Sequence, residues 1–393
     1  MNTPHNLRTI RAYYFLWLGA GGFLFPFLSI FYRQQGLSGA EIGLLGTVAN
    51  LVGLLSAPLW GRLSDTASNP RRLLQVSLFG TALAMLILGG QTLFVWIALT
   101  IALNSLASSA LEPLSNITVL AITKGEKSGF GSVRLWGSIG WAVAAPISGW
   151  IIERAGLAST FVGYAVCMAF GAVAMQLTRP GASVPAEPAR ERAPKPPVRE
   201  VLRGLARSRS MVGLALALGV FWLAMQGRYQ FETLYMKELG ASEGLIGVAN
   251  VLALLEIPGM LWADRLVHRL GPGRALRLSF LLQTLTLGLV VGLPGLYMLI
   301  AFRAISSAAA FSLYTVASIA YASEGAPAGQ SATVMALYFI TLRAVINLAA
   351  APLAGLVYDR GGPYPLYLIA MGGAFLAWAI LTLSQKKRPA TTN

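Results

Sequence analysis

Residues 180–209 read PGASVPAEPARERAPKPPVREVLRGLARSR, with Pro180, Pro185, Pro188, Pro194, Pro196 and Pro197 set among mixed charges. Such a composition cannot bury a core and marks a linker. Outward from it, in both directions, the chain is apolar. Six apolar stretches precede it, at roughly 12–32, 42–60, 73–90, 93–122, 130–152 and 158–178, and six follow, at 211–236, 244–263, 276–293, 295–322, 331–358 and 364–383. Each approaches the ~20 residues that a helix needs to cross a bilayer. The expected fold class is therefore all-α integral membrane, with twelve transmembrane helices. A six-helix bundle is expected over 1–179, a cytoplasmic linker over 180–209, a second six-helix bundle over 210–385 and a cytoplasmic tail over 386–393.

The basic residues orient these helices. Of 30 Lys and Arg, 22 lie in alternate gaps between the apolar stretches, among them Arg8, Arg11, Arg62, Arg71, Arg72, Lys124, Lys127 and the run from Arg179 to Arg209. Four lie in the other gaps: Arg33, Arg154, Lys237 and Arg360. Positive residues are retained in the cytoplasm during insertion, so both termini are expected there, in a multi-pass protein of the plasma (inner) membrane. With 55% hydrophobic residues, a mean hydropathy of +0.64 and 11% charged residues, the chain lies outside the range of a soluble domain. A net charge of +15 would suggest nucleic acid as partner in a soluble protein. Here it follows from topology, with basic residues edging the membrane beside lipid heads, and no nucleic-acid partner is expected. The single Cys167 excludes an intrachain disulfide and a thiolate metal cluster. The first stretch is too long for a signal-peptide core and reads as the first membrane helix.

The two sets of six resemble each other. Ser38, Ile42 and Gly43 recur 204 residues later as Ser242, Ile246 and Gly247, and Arg62-Leu63 recurs as Arg265-Leu266. Ala145-Pro146, Gly149, Arg154 and Gly156 recur 206 residues later as Ala351-Pro352, Gly355, Arg360 and Gly362. An even number of helices per copy gives both the same orientation, related by a pseudo-two-fold axis along the membrane normal. Two such bundles suit alternating access, with a substrate cavity on their facing sides.

Several strings carry a family resemblance. Gly61-Arg62-Leu63-Ser64-Asp65, followed by Pro70-Arg71-Arg72, resembles the cytoplasmic loop signature of the major facilitator superfamily. There the Gly allows close helix packing and the Asp makes charge contacts that latch the gate. Thr66 stands where the family usually has Arg. Phe130-Gly131-Ser132-Val133-Arg134-Leu135-Trp136-Gly137-Ser138-Ile139-Gly140-Trp141 is similar to the fifth helix of the lactose permease, phenylpropionate permease and nucleoside symporter groups. The resemblance implies that Arg134 binds substrate and that Trp141 stacks on it. A charge deep in a membrane helix is a functional-site candidate on physical grounds as well. Snorkelling to the membrane edge is the other reading of Arg134. Aligned on Pro113, Asn116 takes the place of the permease's sugar-binding Glu, while Glu112 lies one turn earlier on the same face. Glu112 is expected to pair with Arg134 and leave Asn116 to the substrate, a departure that argues against lactose itself.

In the second half, Arg228, Tyr229 and Glu232 lie on the seventh stretch, where Arg228 and Glu232 at i,i+4 either neutralise each other or contact substrate. Glu256-Ile257-Pro258 looks like the buried Glu of the phenylpropionate-permease group. Burial disfavours a carboxylate's charged form, which suits a proton carrier. Glu256 is thus the first candidate for proton coupling and Glu232 the second, the alternative for Glu256 being a static pair with Arg303 or Arg343. Arg303, Arg343 and Asn347 on the tenth and eleventh stretches, with Tyr229, complete the expected substrate contacts. The intramembrane count of four Arg against three Glu leans towards an anionic or strongly hydrogen-bonding solute.

No apolar stretch carries His or Asp in the arrangements that membrane proteases and acyltransferases need, and no Gly-rich Lys-Ser/Thr phosphate loop occurs. The chain is expected to be no enzyme and to need no cofactor beyond a proton gradient. The expected function is secondary transport of a small organic solute (an organic anion, sugar or nucleoside) by proton symport. Drug/proton antiport is the alternative, because Ala145-Pro146-Ile147-Ser148-Gly149 partly resembles the fifth-helix motif of such exporters. A nonenzymatic membrane sensor is more remote. The expected partners are the solute, protons and membrane lipid, and the working unit is expected to be a monomer.

Overall fold

A computed structural model describes residues 3–66, 70–123, 130–178, 198–327 and 329–385. Among them there is no strand, and twelve helices are long and apolar enough to cross a membrane. Helices 1 to 6 are His5–Gln34, Gly39–Leu63, Arg71–Leu88, Phe94–Asn116, Gly131–Ala155 and Ser159–Leu177. Helices 7 to 12 are Arg209–Glu238, Glu243–Leu270, Pro272–Gly292, Leu296–Gly325, Ser331–Gly361 and Tyr364–Ser384.

The internal repeat is visible in the backbone. Gly36 (φ 82°) and Gly240 (φ 88°) end helices 1 and 7, and Gly156 (φ 79°) and Gly362 (φ 68°) end helices 5 and 11. These pairs keep the spacings found in the sequence repeat. Each glycine supplies the left-handed conformation that lets a helix end with its last carbonyls satisfied. Leu37 N–H donates to Tyr32 C=O (3.2 Å), and its counterpart Ala241 N–H donates to Met236 C=O (2.9 Å).

Prolines interrupt two helices where the candidate residues lie. Helix 4 breaks into Phe94–Ser108 and Leu111–Thr123, because Pro113 has no N–H to offer the carbonyl of Ser109. Helix 8 runs as α-helix over Glu243–Val251, tightens to a 3₁₀ turn over Leu252–Leu255 and resumes over Glu256–Leu270, with Pro258 in its new first turn. Helices 10 and 11 widen into π-helical segments at Ser306–Phe311 and Ala336–Leu342, a departure that often accompanies functional sites.

The chain forms two compact units: Met1–Arg190 with Thr233–Leu254, and Glu191–Glu232 with Leu255–Asn393. This division departs from the one read at the linker, since the end of helix 7 and the start of helix 8 group with the first six helices. The cause is close backbone approach. A Cβ on Gly149 would lie 2.3 Å from the carbonyl oxygen of Glu243, and one on Gly247 2.4 Å from that of Ala145. The small residues of Ala145-Pro146-Ile147-Ser148-Gly149 therefore serve helix packing. Helices 1 and 5 meet similarly, with a Cβ on Gly140 only 2.0 Å from the Phe15 carbonyl oxygen. The Pro-rich segment is not helix-free throughout. Val198–Arg207 forms a short helix that buries Val201 and Leu205 and exposes Arg199, Arg203 and Arg207.

Candidate functional site

In the first unit the break in helix 4 turns the segment carrying Glu112 and Asn116 against helix 1. Two consecutive tyrosines of helix 1, both fully buried, hold two consecutive polar residues of helix 4. The Tyr14 hydroxyl donates to Asn116 Oδ1 at 3.1 Å, and the Tyr13 hydroxyl lies 2.6 Å from Ser115 Oγ. Ser115 already donates to the Leu111 carbonyl, so Tyr13 is the donor in that pair. The Asn116 oxygen is engaged by Tyr14. Trp17 stacks on Tyr13 (5.8 Å between centroids, 13° between planes) and meets Tyr14 edge-on.

Glu112 and Arg134 are both exposed, and both are close enough to Tyr14 to act on its hydroxyl electrostatically. The ion pair expected between them is not made. Ion pairs that are made include those of Arg228 and Arg303 with Glu232 and of Lys237 with Glu243. One acid, one guanidinium and one amide thus gather around Tyr14 without cancelling one another. The Trp141 ring stacks on Phe25 (6.0 Å, 26°) and fills the space over Gly21, where a Cβ would come within 2.7 Å of it.

In the second unit Glu232 is shared by two guanidinium groups. Arg228, one turn back on helix 7, approaches it at 2.7 Å, and Arg303 Nη1 of helix 10 donates to its other oxygen. Arg228 is 6% and Glu232 4% exposed, so the Arg-Glu core of this Arg-Glu-Arg cluster, of net charge +1, is buried inside the unit, with Arg303 half-buried at its edge. The Arg228 guanidinium also lies over the rings of Tyr229 (4.5 Å) and Phe302 (4.8 Å). Tyr229 itself is largely exposed. Arg303 lies three residues before the π-helical turn of helix 10, and Arg343 directly follows that of helix 11. Arg343 is exposed with its guanidinium 6.0 Å from the Trp222 ring centre, and Asn347, one turn on, is half-buried. Glu256 is half-buried where helix 8 resumes, and its carbonyl accepts from Ser312 Oγ at 3.2 Å.

Of the residues expected to gate, Gly61 is exposed, and a Cβ there meets no described atom within 4 Å. The close packing expected at Gly61 is not seen among the described residues. Arg71 Nη2 donates to the Thr178 carbonyl, tying helix 3 to the end of helix 6, and Arg72 is exposed. Asp65 lies at the end of the helical segment Gly39–Thr66, and its side chain falls outside the described residues.

Sequence reasoning missed Tyr13, Tyr14, Trp17 and Ser115. The signal available was the aromatic cluster at positions 13, 14 and 17, whose spacing puts 13 and 14 on one helix face with 17.

The sequence profile of the MFS_1 like family matches residues 7–369. A maltose permease from Geobacillus stearothermophilus is 31% identical over 94% of this chain and 90% of its own. A putative sugar efflux transporter from Deinococcus radiodurans is 25% identical over 98% and 99%. Among solved structures, a point mutant of the nucleoside transporter NupG superposes with a TM-score of 0.82 at 14% identity, over 97% of this chain and 100% of its own. That last likeness shows the fold. Twelve membrane-length helices, charged and amide side chains set inside them, and these relatives agree: the chain is a multi-pass membrane transporter of a small organic solute, not an enzyme, and it belongs to the MFS_1 like family.

Proposed function

We propose that the chain takes up a small neutral sugar by proton symport, as a monomer in the plasma membrane with both termini cytoplasmic. The observation that carries this reading is the group around Tyr14. Sugar hydroxyls donate and accept in close succession, and Glu112, Asn116 Nδ2 and Arg134 supply one acceptor and two kinds of donor, with aromatic surface from Trp17 beside them. The similarity to a maltose permease and the lactose-permease-like string at Phe130 to Trp141 support the same substrate class. Within the second unit by itself, Arg343, Asn347 and Tyr229 are proposed as substrate contacts.

Proton coupling is assigned to Glu256. Glu232 is the weaker candidate, because protonating it would remove the counter-ion that buried Arg228 shares with Arg303. Arg199, Arg203 and Arg207, exposed along one side of the short helix, are proposed to rest on anionic lipid heads. The likeness to a sugar efflux transporter supports a second reading, export of the same substrate class.

The test is a thermal-shift screen of detergent-purified protein against maltose and other sugars, nucleosides, aromatic acids and cationic drugs. A ligand stabilises the state it binds. Stabilisation by a sugar is expected, and stabilisation by the drugs alone would replace this reading with drug export.

A further inference from the structure

The two copies of the repeat begin their second helices in different ways. Helix 2 starts with a complete capping box inside its own sequence. Glu41 Oε2 accepts from Ser38 N–H (2.8 Å) and from the Ser38 hydroxyl (2.9 Å), and Glu41 N–H donates back to Ser38 Oγ (3.2 Å). Helix 8, its counterpart, keeps the serine: Leu245 N–H donates to Ser242 Oγ at 3.2 Å. The acid is missing, because Leu245 stands where Glu41 stands in the first copy.

A carboxylate is nevertheless present, supplied by another helix. Glu153 of helix 5 accepts from Gly244 N–H at 2.8 Å, a first-turn N–H of helix 8, whereas Glu41 bonds the N–H and hydroxyl of its own Ser38. The contact is reinforced by the close approaches of Gly149 to Glu243 and of Gly247 to Ala145.

We propose that Glu153 is a positioning residue of the transport cycle: a detachable cap that holds the start of helix 8 against helix 5 and lets go when this end of the transporter opens. A cap within the helix would satisfy N–H groups of its first turn in every state. A cap from helix 5 satisfies them only while the two helices touch, so closure is favoured by the bonds that opening must break. Because helix 8 carries Glu256, the position of its first turn bears on the residue assigned to proton coupling. The inference is independent of which solute is carried.

The test uses the full-length protein with Cys167→Ala and nitroxide labels on cysteines placed at Ala158 and Glu238, two exposed positions flanking the contact. Pulsed electron resonance should give one short distance for the parent protein. Glu153→Ala should raise the population of a longer distance about fivefold, the factor expected for losing one cap. Adding Leu245→Glu to Glu153→Ala rebuilds the box within helix 8. It should recover thermal stability while the longer distance persists. An unchanged distance in Glu153→Ala overturns the proposal. So does a return to the short distance on adding Leu245→Glu, since Glu153 would then contribute helix stability alone.

Discussion

Glu232→Ala tests the buried cluster of the second unit. The substitution removes the negative charge that Arg228 and Arg303 share and leaves two guanidinium groups, one buried and one half-buried, facing each other. Breaking a buried pair by removing one partner costs about 3–5 kcal/mol, chiefly because the remaining charge is left uncompensated. The second unit has about 180 residues, a size for which 1 kcal/mol moves the melting temperature by roughly 2–4 °C. The expected drop is therefore about 6–20 °C. Arg228→Met should be milder, because Glu232 keeps Arg303 and the remaining pair is neutral. Dye-reported melting of the detergent-purified variants measures both. Equal losses for the two variants, or a loss below about 2 °C for Glu232→Ala, would refute the reasoning that Glu232 is a shared counter-ion.

Arg134→Ala is expected to abolish sugar binding while the protein still folds and melts as the parent does, and Arg134→Lys to fail as well if the contact is bidentate; normal uptake by Arg134→Ala removes it from the site. Tyr14→Phe should raise KM for uptake with little change in kcat, and should add nothing in an Asn116→Ala background; additive losses would mean that Tyr14 acts through folding instead of through the amide. Cysteines at Ser68 and Ala189 should be shielded from an impermeant thiol reagent in intact cells while one at Gln35 reacts, and labelling of Ala189 from outside reverses the topology. Glu256→Gln should keep sugar binding and lose uphill accumulation; full pH-driven accumulation in this variant would return the search to Glu232 and Glu112.

Most of the architecture was legible because membrane helices announce themselves by length and hydropathy, and the repeat by its turn residues. Gly36 with Gly240 and Gly156 with Gly362 are sequence matches whose backbone reason, a left-handed helix end, became visible in the structure. The site was less legible. Sequence spacing paired Arg228 with Glu232, but the third member, Arg303, comes from a helix about 70 residues away, and no local pattern records such a contact. Tyr14 was overlooked because a tyrosine in an apolar stretch looks like core; its partner Asn116 lies on another helix. The expected pair of Glu112 with Arg134 failed for the same reason, since separation between helices cannot be counted along one of them. Asymmetry between the copies, with Leu245 replacing the acid of Ser38 to Glu41, was present in the sequence from the start. Its meaning depended on Glu153, a residue in neither motif.

The central claim, proton-driven sugar uptake, is tested most directly by accumulation of radiolabelled maltose in proteoliposomes holding an acid-outside pH gradient, with the same vesicles equilibrated to one pH as control. The account predicts accumulation above the external concentration only with the gradient, collapsing when a protonophore dissipates it. Equal maltose levels inside and outside, with and without the gradient, would contradict it.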